Sequence, residues 1–193
     1  MGLFWPSITA ELLYLDDVPM VGALQYGSEF SLADLFLPGG GQGLYYRPVT
    51  IATYTLDRLF FNLSPTWMHL ENVLLHLGNV LLVWGLSRTL VVFLGLSSRV
   101  PLWAGLMFAA HPLATESVNW VSGRTDLLAC FFLLSSTWCL VLFRIRQQRR
   151  WLLPCGLFLL LSVLSKEVSL AFLPGILLLL MVRLDGRVAR TTL

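Results

Sequence analysis

Residues 68–94 read MHLENVLLHLGNVLLVWGLSRTLVVFL, and this run decides the fold. It is poor in charge and longer than the roughly 20 apolar residues a helix needs to cross a bilayer. Pro65-Thr66-Trp67 opens it. His69, Asn72, His76 and Asn79 recur at spacings of three, four and three, which sets them on one helix face. In a span, such side chains face protein or a water-filled cavity. For His76 and Asn79, hydrogen bonding to a neighbouring helix is the favoured reading.

Working outward, Val100 to Leu113, Leu127 to Phe143, Trp151 to Leu164 and Val168 to Val182 are further charge-poor runs. Several are shorter than a perpendicular span. They must extend into flanking residues, tilt, or meet thinned lipid. Of the 193 residues, 56% are hydrophobic and only 12% charged, with a mean hydropathy of +0.75. Soluble domains carry about twice that share of charge. A soluble helical core would need polar outer faces, and Leu152 to Leu161 and Ile176 to Met181 show almost none. The expectation is an all-α, polytopic membrane protein. Cys130, Cys139 and Cys155 fall inside apolar runs without metal-ligand spacing or an even count, so they read as small buried hydrophobes.

Residues 1–14 are apolar but too short to span, and lack the basic start of a signal peptide. They are expected to be the remnant of a first span or an interfacial segment. Residues 15–67 are expected to form an external loop carrying short juxtamembrane helices. One is placed at Ser31 to Leu37, with Ser31 as cap and Asp34 three residues on. A glycine cluster, Pro38 to Gly43, marks a loop and lacks the Gly-Lys-Ser/Thr of a phosphate loop. An amphipathic helix is expected over Val49 to Asn62, with Pro48 in its first turn. Ser87 to Arg99 reads as a connection, part of which (Val91 to Leu96) lies in the interface or lengthens a helix.

The segment His111 to Asp126 is dense in hydrogen-bonding groups and sits between two apolar runs. The basic run Arg144 to Arg150 follows the next crossing, and Ser165-Lys166-Glu167 makes a tight polar turn after the one beyond. Five crossings over 68–182 therefore alternate sides, with 183–193 a basic cytoplasmic tail. With the basic connectors placed in the cytoplasm, nine of thirteen basic residues fall on that side. Ten of eleven acids fall on the other. Asp16-Asp17, Tyr46-Arg47, His111 to Asp126 and Ser165 to Glu167 then share the non-cytoplasmic face.

Acids with a few fixed cations at a membrane surface suit chemistry on a lipid-linked anionic substrate. Arginine and lysine clamp phosphates, and a carboxylate takes a proton from an attacking hydroxyl. Asp16-Asp17 reads equally as a solvated loop or helix cap. Lys166-Glu167 also reads as a surface ion pair worth under about 1 kcal/mol, but its position between two short apolar runs disfavours that reading.

Several segments together resemble a known family. They are Leu15-Asp16-Asp17, Ser31 to Phe36, Tyr45-Tyr46-Arg47-Pro48-Val49, His69 to His76, His111-Pro112 through Glu116 to Leu128, and Leu164-Ser165-Lys166-Glu167. Their order and spacing over about residues 12–182 resemble the membrane part of the transmembrane-and-tetratricopeptide-repeat O-mannosyltransferases and their bacterial relatives. These are C-type, polyprenyl-phosphate-dependent glycosyltransferases. The resemblance implies a partial C-type fold and inverting transfer of a sugar, mannose in the best-known members. The donor is a polyprenyl or dolichyl phosphate and the acceptor a protein or peptide hydroxyl. It implies Asp16 and Asp17 as the catalytic pair, with Asp16 favoured as base. Arg124 and Lys166, and more weakly Arg47, would bind the donor phosphate. Tyr46, His111, Glu116, Asn119, Asp126 and Glu167 would shape the substrate site.

No metal or other cofactor is expected, and the three histidines lack ligand spacing. Membrane lipids are expected partners and nucleic acid is not. The implied location is a bacterial inner membrane or the endoplasmic reticulum membrane. The family has a complete span before the acidic pair and usually a C-terminal repeat domain, and this chain shows no repeat of about 34 residues. A truncated, non-catalytic protein that binds a lipid-linked phosphate or a membrane partner is the alternative expectation. A small transporter is a weaker one, because the polar groups gather at one surface.

Overall fold

The structure is a computed structural model that describes residues 4–8, 12, 37 and 45–181. The expected helix at Ser31 to Leu37, the glycine cluster, Asp16-Asp17 and the 183–193 tail lie outside the described residues, apart from Leu37 itself. Every regular element among the described residues is helical. In chain order they are α1 (Trp5–Ile8), α2 (Pro48–Phe61), α3 (Pro65–Leu94), α4 (Val100–Ala109), α5 (Ala114–Asn119), α6 (Arg124–Arg146), α7 (Leu152–Ser165) and α8 (Leu173–Met181). Short 3-10 turns at Arg149–Trp151 and Glu167–Phe172 lead into α7 and α8.

Sequence chemistry sets the boundaries. Pro48, Pro65 and Pro101 stand in the first turns of α2, α3 and α4, where no N–H is needed. α3 runs on through Leu94, so the apolar Val91 to Leu94 lengthens the helix. Gly95 ends it at φ 66°, a left-handed cap that glycine takes without steric cost. Pro174 lies in the first turn of α8, and the chain before it winds as a 3-10 turn. The expected crossing from Val168 therefore begins as a tighter helix. Leu63 holds φ 54°, costly for a residue with a Cβ, and its burial against Tyr54, Met68 and Val121 offsets that strain.

α3 and α6 lie side by side and parallel, with Asn79 donating to Leu127 O (3.1 Å) at one level. Further along, Trp138 Nε1 donates to Thr89 Oγ1 (3.0 Å). Gly78 leaves room for Phe131 and Gly85 for Trp138. α4 returns antiparallel on α3, where Gly105 faces Trp84 and Val80, and His76 Nε2 meets Ala109 O at 3.3 Å. His76 and Asn79 thus form the interhelical hydrogen bonds expected of them. α7 packs antiparallel on α6 through small hydroxyls. Ser136 Oγ donates to Cys155 O (2.8 Å) and Ser162 Oγ to Ala129 O (2.7 Å). Such contacts let helix backbones approach where lipid supplies no hydrophobic drive.

Many polar side chains are buried while many large apolar ones are exposed. His69, Asn72, His76, Asn79, Arg124, Ser136, Ser162 and Ser165 are buried. Leu81, Trp103, Met107, Leu153, Leu178 and Met181 are each more than half exposed. An apolar exterior of this extent on a monomer marks a surface that meets lipid or partner. Two helices, Pro65–Leu94 and Arg124–Arg146, are long and apolar enough to cross a membrane. At 1.5 Å per residue they reach about 45 and 34 Å. α4 and α7, with 10 and 14 residues, fall short of a perpendicular span.

Candidate functional site

The N-terminal ends of α3 and α6 and the C-terminal end of α7 meet at one end of the bundle, and α2 lies against them. Arg124 opens α6 and is fully buried. A cation at a helix N-terminus opposes the helix dipole, and acids from two other helices compensate. Arg124 Nη1 donates to Asp57 Oδ2 (2.5 Å) on α2 and lies 3.0 Å from Glu71 Oε2 on α3. Nε donates to Asn72 Oδ1 (3.3 Å) and Nη2 to Met68 O (3.2 Å). The guanidinium also stands 4.7 Å from the Tyr54 ring centroid. Tyr54 Oη and Asn72 Nδ2 donate to Val121 O (2.9 Å) and Trp120 O (2.7 Å). One arginine thereby locks α2, α3 and the turn before α6. The turn depends on Gly123, where a Cβ would lie 2.5 Å from Ser117 O.

Nearer the surface, Lys166 Nζ donates to Asp126 Oδ1 (2.5 Å). Arg47 grips Glu167 with two bonds, Nε to Oε2 (2.9 Å) and Nη2 to Oε1 (2.6 Å), and stacks over Tyr45 at 4.4 Å. That guanidinium holds the Glu167 carboxyl at about 2, well below the ordinary range. Thr50 Oγ1 donates to Ser165 O (3.1 Å), fastening α2 to the same turn.

Lys166, Asp126 and His111 sit on the rim of a groove of about 580 Å³. Its walls are largely apolar, with Phe108, Leu133 and Phe172 among them, and Asn79 and Cys130 also line it. Among the described residues no cluster of three or more His, Cys, Asp or Glu side chains suits a metal.

The expected site residues therefore divide. Lys166, Asp126 and His111 share the groove, while Arg47 and Glu167 pair beside it. Tyr46 and Glu116 are exposed, and Asn119 is half-buried on α5. Arg124 lies beneath, enclosed by its partners. Asp16 and Asp17 are outside the described residues. Sequence reasoning missed Asp57, a lone acid on an amphipathic helix, and Tyr54, one turn before it. Glu71 was visible only as part of a familiar motif.

Curated relatives share sequence with this chain. The chain is 35% identical to protein O-mannosyl-transferase tmtc2 of Xenopus laevis over 153 residues, 71% of this chain and 16% of that protein. The chain is homologous to the protein O-mannosyl-transferases. It is 36% identical to Tmtc2 of Drosophila melanogaster over 66% of its own length and 14% of the relative's. With human TMTC2 it shares 35% identity over 54% of itself and 12% of that protein. The chain thus spans about a sixth or less of the relatives it matches. No family model and no solved structure matches it. Homology and the two long apolar helices support membrane association.

Proposed function

We propose that this chain carries the front part of a C-type glycosyltransferase fold. In this reading it crosses the membrane five times and presents its acidic end on the non-cytoplasmic face. It transfers a sugar, mannose by analogy with the relatives' names, from a polyprenyl or dolichyl phosphate to a protein hydroxyl. The observation that carries the reading is Lys166 on the rim of the largely apolar groove between helices. A cation there suits a phosphate, and the groove suits the first isoprene units behind it.

Lys166 and Arg47 are partly buried, but their carboxylate partners are about half exposed, and the cations reach the rim by shifting away from Asp126 and Glu167. Arg124 would have to leave four polar partners to do so, so we assign it to positioning. Asp16 acts as general base, with Asp17 orienting the acceptor. Attack by the deprotonated hydroxyl on the anomeric carbon displaces the lipid phosphate and inverts that centre. The proton passes to Asp16. His111, Asp126, Glu116, Asn119, Tyr46 and Glu167 shape the substrate site. No metal enters the scheme.

The test is transfer of radiolabelled sugar from a polyprenyl phosphate to a peptide by the purified protein. Asp16→Asn is expected to abolish transfer while the protein still accumulates in the membrane. Retained transfer would remove Asp16 from the role of base. Donor binding without turnover by the unaltered protein would favour a non-catalytic lipid-phosphate binder.

A further inference from the structure

The opposite end of the bundle holds a second cavity, of about 410 Å³, between the C-terminal halves of α3 and α6. Arg88 and Arg146 both line it and both are exposed. Arg88 lies 5.4 Å from the Trp84 ring and Arg146 lies 5.8 Å from the Trp151 ring. Neither pairs with a carboxylate among the described residues, and the described acids (Asp57, Glu71, Glu116, Asp126, Glu167) all stand at the other end. The cavity wall is fixed in place. Trp138 is held by its bond to Thr89 and by the missing side chain of Gly85, where a Cβ would come within 2.6 Å of its ring. Between the levels of the two arginines the wall is apolar, through Val92, Phe93 and Leu142.

Two guanidiniums without a carboxylate partner among the described residues, beside an apolar trough and flanked by tryptophans, match an anionic lipid in both parts. The phosphate takes charge-assisted bonds from the arginines. The acyl chain lies along the trough, and the indoles sit at headgroup level. We propose that this cavity binds an anionic glycerophospholipid, its phosphate between Arg88 and Arg146 and one acyl chain against Trp138, Val92 and Leu142. This site is separate from the groove at Lys166 and does not rest on sugar transfer. It would tie the lipid composition of one leaflet to the packing of α3 on α6.

The experiment is tryptophan quenching of the whole purified chain in detergent micelles. The micelles are titrated with dibrominated phosphatidylglycerol or dibrominated phosphatidylcholine. The unaltered protein is expected to be quenched at a roughly thirtyfold lower mole fraction of the anionic lipid, in line with about a kilocalorie for each of the two arginines. Arg88→Gln with Arg146→Gln is expected to remove that preference. Arg99→Gln with Arg149→Gln takes the same charge from the same end and is expected to retain most of it. Equal quenching of the unaltered protein by both lipids would overturn the site without any variant. Equal losses in the two double variants would reduce it to general surface charge and also overturn it. Inorganic phosphate at millimolar concentration is expected to leave quenching unchanged. Competition by it would assign the arginines to a free anion instead.

Discussion

Arg124 carries a full charge into a place with no water, which only a complete set of partners makes tolerable. A buried ion pair adds little net stability over an apolar replacement, but losing one partner strands the other charge. Asp57→Asn is expected to lower stability by about 3–5 kcal/mol, read as a fall in the thermal unfolding midpoint in detergent. Arg58→Gln, one residue on and without an ion pair among the described residues, is expected to stay within about 0.5 kcal/mol of the unaltered protein. Arg47–Glu167 is a different pair, with the carboxylate about half exposed. The Glu167 carboxyl is depressed to about 2 in the folded chain. Its contribution is therefore present above its ordinary value of 4.5 and fades as pH falls towards 2. Solvent screening keeps it small. Melting curves of the unaltered protein and Glu167→Gln should differ slightly at pH 6 and converge between pH 4.5 and 2. A gap that widened on acidification would refute the pairing.

At the scale of elements, packing rests on small residues facing large ones. Gly85→Ala would drive a methyl into the Trp138 ring, and overpacking of this kind costs about 1–3 kcal/mol. Gly123→Ala meets the Ser117 backbone, which cannot swing aside as a ring can. It is expected to unsettle the turn that delivers Arg124 and to cost more. Gly156 on α7 faces open space, so Gly156→Ala should stabilise by up to about 1 kcal/mol through helix propensity. Unfolding midpoints in one detergent check this order, and Gly156→Ala below Gly85→Ala would contradict it. The helices themselves were legible in the sequence. Prolines marked the starts of α2 and α3, and the three-four-three spacing of His69 to Asn79 marked the buried face of α3. The extension of α3 to Leu94 was left open, because apolar residues suit an interface or a helix alike. The 3-10 entry to α8 was hidden, since the apolar run crosses it without a break.

In the whole molecule, charge separation along the chain becomes separation in space. The described acids gather where α2, α3, α6 and the end of α7 meet, and Arg88 and Arg146 share the opposite end. Counting alternating connectors put Arg47, Asp126, Lys166 and Glu167 in one group, and these meet at one end of the described bundle. It could not show which cations stay free to meet a substrate. Arg124 and Lys166 looked alike as sequence, both next to polar residues between apolar runs. Burial separates them, because it depends on Tyr54, Asp57 and Glu71 arriving from other helices. The account stands on Lys166 as the cation above the groove, and photolabelling tests that most directly. Purified protein would be irradiated with a diazirine-bearing polyprenyl phosphate, and the labelled peptides mapped. The account predicts label on groove-wall peptides bearing Phe108, Leu133 or Phe172, lost at least tenfold in Lys166→Ala while the fold is retained. Label elsewhere, or label indifferent to Lys166→Ala, would contradict it.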